Sequence, residues 1–200
     1  MNTDSAELDI LVHLTGKQVV TFKVKDPHEA AHILDSIIPG KFFEPKQIII
    51  GCKNSLSAFQ SDHVTQVELI TDNVPDWSFH HNVRMMREVS PTVFREKYAN
   101  IKQMDRSLAD VVHVSSEIEL SNGEMIYLTL DVNTEPAISP LTPLDQHVFI
   151  QQMFTSHGLF AHHRDRGVVL INPSHIARLT MHPGPEAIPT GTWHASRCMG

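Results

Sequence analysis

Ser61-Asp62-His63-Val64-Thr65-Gln66-Val67-Glu68-Leu69 and Pro173-Ser174-His175-Ile176-Ala177-Arg178-Leu179-Thr180-Met181 have one pattern in common. His63 falls on His175, and Val64, Val67 and Leu69 fall on Ile176, Leu179 and Met181. Nine residues can agree by chance, so the reading turns on what precedes each stretch. The same order of elements precedes both.

In the first half, residues 7–14 and 18–25 alternate apolar and polar side chains around Thr15-Gly16-Lys17, the signature of a hairpin. Asp26-Pro27-His28-Glu29 then reads as a helix start, with a capping acid, proline in the first turn and Glu three residues after the cap. Ala30, Ile33, Leu34, Ile37 and Ile38 follow at helical spacing. Pro39-Gly40 ends the helix and Phe42-Phe43 returns to the core. Strands are expected at 47–52 and 65–71, with a short run at 57–60. In the second half, 114–120 and 125–132 flank Ser121-Asn122-Gly123-Glu124, and Thr142-Pro143-Leu144-Asp145 opens a helix. That helix carries Val148, Phe149, Ile150, Met153 and Phe154 and stops at Gly158. Leu159-Phe160 stands where Phe42-Phe43 stood, and strands follow at 168–171 and 177–182. The expected fold is α+β and β-dominated: two tandem ββαβββ units, 7–71 and 111–182. A repeat this long, present twice, points to duplication and not to a solenoid.

Between the units, residues 77–110 read as a helical connector. Ser90-Pro91 opens its amphipathic part, and Phe94, Tyr98, Ile101 and Leu108 form a stripe expected at an interface. Residues 183–200 lack periodicity and are expected to be an extended tail.

Charge is unevenly placed. The whole chain is −7, yet residues 77–109 hold six basic side chains (Arg84, Arg87, Arg95, Lys97, Lys102, Arg106) against three acidic ones. The remainder holds ten against twenty. The basic strip gives the second functional reading, nucleic-acid contact, but an acidic chain repels phosphate elsewhere.

Leu120-Ser121-Asn122-Gly123-Glu124 and Ile171-Asn172-Pro173-Ser174-His175-Ile176-Ala177-Arg178-Leu179 resemble the hairpin turn and closing segment of a small bacterial β-rich domain. The order of strands is also similar to Sm-like barrels. The resemblance covers about 70 residues of the second half and implies a fold without an activity. In Sm proteins the helix precedes the first strand, whereas here it follows the hairpin.

Fourteen histidines raise a third reading, metal binding. His80-His81 and His162-His163 are adjacent pairs, which on a strand point to opposite faces. No His-Glu-x-x-His or Cys-x-x-Cys spacing joins them, so neither a metal nor a cofactor is expected. His63 and His175 are read as equivalent turn residues. No nucleophile elbow or phosphate loop appears, so no enzymatic activity is expected. Two cysteines, no apolar run of membrane length and no signal-like N-terminus give the expectation of a soluble cytoplasmic protein. The leading reading is an interaction or regulatory protein whose partner is another protein or itself, as a homo-oligomer. Gln47-Ile48-Ile49-Ile50, apolar at successive positions, is expected to be a central strand covered on both faces.

Overall fold

The computed structural model describes residues 7–79, 83–101, 111–133 and 146–182. The architecture is β-dominated α+β. Two hairpins, β1 (Leu8–Leu14) with β2 (Val19–Val24) and β7 (Val111–Leu120) with β8 (Met125–Asn133), set the frame. Their turns close by the same bonds. Leu14 N–H donates to the Gln18 carbonyl and Lys17 N–H to the Leu14 carbonyl; Leu120 N–H donates to Glu124 and Gly123 N–H to Leu120. The third turn residue is left-handed in both, Lys17 at φ 62° and Gly123 at φ 82°, a conformation in which glycine meets no penalty.

Each hairpin receives a returning strand on its first member, β5 (Val64–Ile70) on β1 and β11 (Ile176–His182) on β7. The registers break at the same place. Leu14 faces Val64 and His13 faces Gln66; Leu120 faces Ile176 and Glu119 faces Arg178. Thr65 and Ala177 are each skipped. A single 3-10 turn precedes each returning strand, Ser61–His63 and Pro173–His175. The carbonyl of His63 accepts from Thr15 N–H at 3.0 Å, and that of His175 from Ser121 N–H at 2.8 Å.

Among the described residues these strands join β6 (Val83–Glu88), β9 (Leu159–His162) and β10 (Val168–Ile171) in a nine-stranded sheet, ordered β11-β7-β8-β6-β9-β10-β5-β1-β2. Pairing is antiparallel except at β6–β9. Helices α1 (Pro27–Ser36), α2 (Pro91–Ile101) and α3 (Gln146–Thr155) complete the fold. Asp26 caps α1 by accepting from His28 and Glu29 N–H, as its sequence foretold. No described helix is long and apolar enough to cross a membrane.

Four expectations need correction. The 77–110 connector is not helical throughout, because Val83–Glu88 is a sheet strand paired with β8. Gln47–Ile50 is not central. It forms β3 (Gln47–Cys52), paired only with β4 (Ser55–Gln60) among the described residues, in a separate two-stranded ribbon. There Ile48 and Ile50 pack inward while Ile49 is 57% exposed. Leu159-Phe160 opens a strand, whereas Phe42-Phe43 lies ahead of β3. Ile38 and Phe154, assigned to apolar helix stripes, are exposed: α1 ends at Ser36, and Phe154 points away from the buried Met153. Leu108 and the 183–200 tail lie outside the described residues.

Strand β10 joins the two halves. All four of its side chains are buried, Val168 and Leu170 in the cluster with β1, β5 and α1, and Val169 and Ile171 in the cluster with β6, β7 and β8. It pairs with β5 over Val168–Leu69 to Ile171–Gln66. Beyond its end, buried Asn172 donates its side-chain amide to the carbonyls of Ser61 (3.0 Å) and Val64 (2.8 Å). Its backbone N–H reaches Thr65, and its Oδ1 accepts from Ser174. Gly167, at φ 86°, lies so close that an added Cβ would collide with the Leu69 carbonyl oxygen.

Two substitutions test this seam. Asn172→Ala removes the side-chain donor to the buried Val64 carbonyl and one of two donors to the Ser61 carbonyl, and is expected to lower unfolding free energy by about 1–3 kcal/mol. Gly167→Ala, strained and sterically blocked, is expected to do at least as much. Denaturant midpoints check both. A loss below about 0.5 kcal/mol, the range of ordinary surface changes, would remove the seam from its structural role.

Candidate functional site

The chemistry-bearing side chains that the fold gathers most closely lie beside this seam. His13 comes from β1, Gln66 and Glu68 from β5, Glu88 from β6, Glu124 from the β7–β8 turn, and His163 and Arg164 from the β9–β10 turn. Strand alternation places them there. Val67 and Leu69 point to one core, so Gln66 and Glu68 point to the other face of β5.

His13 Nε2 stands 3.0 Å from Glu68 Oε1, an ion-pair distance, though its N–H is angled off the line of a well-formed hydrogen bond. Its Nδ1 accepts from the Gln66 amide at 3.3 Å and lies 4.0 Å from Glu124 Oε1. In the neutral ring the proton therefore sits on Nε2, toward Glu68. His163 is arranged similarly. Its Nδ1 accepts from Asp165 N–H at 3.2 Å, and its Nε2 lies 3.6 Å from Glu88 and 3.9 Å from Glu68. Its side chain is only 8% exposed.

The two carboxylates are driven apart. Burial favours the protonated form of Glu68, but His13, His163 and Arg164 outweigh it and hold its pKa below the ordinary value. Burial raises the pKa of Glu88, and the Glu68 charge adds to this against His163 and Arg164. The cluster can thus hold a proton on one carboxyl while the other stays ionised. Among the described residues no group of three His, Cys, Asp or Glu side chains is placed to hold a metal ion.

The residues singled out by sequence scatter. Arg84 and Arg87 are exposed on β6, and Arg95 and Lys97 are exposed on α2. Lys102 and Arg106 lie outside the described residues. Arg87 pairs across to His162, whose pKa is lowered by burial and by that charge. Phe94 is buried within the chain against Tyr127, 5.0 Å between ring centroids, while Tyr98 meets His182 at 4.5 Å. Of the expected interface stripe, Ile101 has a described backbone only. His175 Nδ1 lies 2.9 Å from Ser121 Oγ, the hydroxyl of the β7–β8 turn. Sequence reasoning missed His13, Glu68, Glu88 and His163 as a group. They come from four distant segments, and no local spacing links them.

An apolar cleft of about 330 Å³ lies nearby, lined by Ile38, Phe79, Met86, Met153 and Phe160 among others. Phe79 stacks on Phe160 at 4.3 Å. Among the described residues, the cleft's side-chain polar lining is Ser78 and Ser156.

Opposite pKa directions give opposite pH dependence. Glu68 adds stability above its unfolded pKa, which is lost as pH falls through its lowered folded value. Glu88 favours the folded state below its unfolded pKa, and that contribution is lost as pH rises through its raised value. Glu88→Gln is therefore expected to raise stability at pH 7, with the gain fading as pH falls through the carboxylate range. Glu68→Gln is expected to lower it at pH 7. Thermal melts at pH 7 and within the carboxylate range check the pair, and equal signs at pH 7 would refute the separation.

No protein-family model, curated protein or solved structure gives a significant match to this chain.

Proposed function

We propose that the chain is a tandem duplication of one ββαβββ unit and that it works by binding protein, as an interaction or regulatory component, not by catalysis. Support for the duplication comes from the pairing registers. Moving the β1–β2 hairpin by 106 positions carries Val12–Val20, Ile10–Phe22 and Leu8–Val24 onto Ile118–Ile126, Ser116–Leu128 and Val114–Leu130. Moving the returning strand by 112 carries Val64 and Gln66 onto Ile176 and Arg178, with the skipped residue in the same place.

The observation that carries the binding function is the β3–β4 ribbon. Its fourteen residues, Gln47 to Gln60, include a single charged side chain, Lys53 at the turn. Ile49 is 57% and Leu56 72% exposed. Natural proteins protect free strand edges with charge, proline or cover, and β2 carries Lys23 and is followed by Lys25. An exposed, apolar ribbon whose one charge sits at its turn is suited to contact with another polypeptide.

A photo-reactive amino acid at Leu56 tests this in cells that make the protein. Irradiation is expected to join the chain covalently to a polypeptide, while the same group at Lys23 gives none. Equal yields at both positions, or no adduct at Leu56, would overturn the reading.

A further inference from the structure

We infer that β4 of one chain pairs antiparallel with β11 of a second copy, in the register that β10 already makes with β5 inside the chain. The inference rests on the duplication reading and goes beyond it by naming the partner. Under the 112-position correspondence β10 matches β4, and β5 matches β11. The chain therefore contains one example of the contact, β10 on β5, with both participants used. The counterpart pair is left over. Among the described residues β4 pairs only with β3, and β11 pairs only with β7.

The two free edges suit each other as the two used edges do. Strand β10 is uncharged and lies beside the charge-bearing β5; β4 is likewise uncharged, and β11 carries Arg178 and His182. Both side chains are already engaged by β7, Arg178 with Glu119 at 3.0 Å and His182 with Glu117 at 3.5 Å, so neither bars an incoming apolar strand. Even the lock has a counterpart. The position matching Asn172 is Gln60, another side-chain amide, exposed in the isolated chain.

The internal pairs Val168–Leu69 and Val169–Glu68 translate to Leu56 opposite the partner's Met181 and Ser57 opposite the partner's Thr180. The contact is head-to-tail, so it closes at two copies or in a larger ring, using every β4 and β11 edge, or runs on as a filament with one free edge at each end.

Disulfide trapping reads this register directly. In full-length chains with Cys52→Ser and Cys198→Ser, one preparation carries Ser57→Cys and another Thr180→Cys. Mixed and oxidised, they are expected to form a covalent dimer containing one chain of each kind. A Ser55→Cys chain mixed with the Thr180→Cys chain is expected to react at least about tenfold more slowly, because a two-residue slip carries the Cα atoms beyond the roughly 7 Å that a disulfide spans. Unmodified protein is expected to scatter light with at least twice the 22.5 kDa mass of one chain. Faster joining of Ser57→Cys chains to each other than to Thr180→Cys chains would overturn the pairing. So would a monomeric unmodified protein at high micromolar concentration. A foreign polypeptide captured at Leu56 alongside a monomeric protein would keep the binding function and discard the self-pairing.

Discussion

The Asn172 side-chain amide, shared between the carbonyls of Ser61 and Val64, is the interaction on which the arrangement depends. Those carbonyls belong to the turn and the first residue of β5, where the returning strand begins, and their partner comes from the far end of the chain. The Ser61 carbonyl already accepts from Val64 N–H across its own turn, and a side-chain amide from the other half of the chain adds a second donor there and one on the Val64 carbonyl. Asn172 does so while ordering its own turn through Ser174. One residue thus fixes where β5 starts, where β10 ends and how the two lie side by side. Sheet continuity follows, and with it the two apolar clusters that β10 separates.

The same seam explains the buried polar groups. β5 is flanked by β1 and β10, and side chains carried on those neighbours and the β9–β10 turn crowd its outward-facing Gln66 and Glu68, leaving Gln66 buried and Glu68 half-buried. Ion-pair partners arrive from β1 and from the β9–β10 turn, which the seam holds in place. Burial of charge is tolerated where partners are near, and the pKa directions record that balance. Glu68, between two histidines, is favoured as an anion; Glu88, with His163 between it and Glu68, is not. Close backbone approach completes the junction, since a side chain at Gly158 would strike the Pro39 carbonyl and one at Gly167 the Leu69 carbonyl.

Much of this was legible in the sequence where the signal is local. The hairpin turns, the Asp26 cap and the matched positions of His63 and His175 depend on neighbours a few residues apart. β6 was hidden for a physical reason: a register shift between Val83 and Met85 places its buried side chains at Val83 and Met86, three apart, which imitates a helix. Gln47–Ile50 and Val168–Ile171 carry the same apolar run, yet only the second is buried on both faces. The run states what a strand tolerates, and its neighbours decide what it receives. The histidine–carboxylate cluster was not legible at all, being assembled by β5 pairing with both β1 and β10.

Native-state hydrogen exchange of the full chain measures the central claim, that the β5–β10 seam makes one cooperative unit of two similar halves. The Asn172 amide and those of β5 and β10 should exchange only through global unfolding, with the same free energy as the most protected amides of β1 and β7. Exchange of the Asn172 amide through a lower-energy opening, with the β1 and β7 groups protected to different extents, would contradict it.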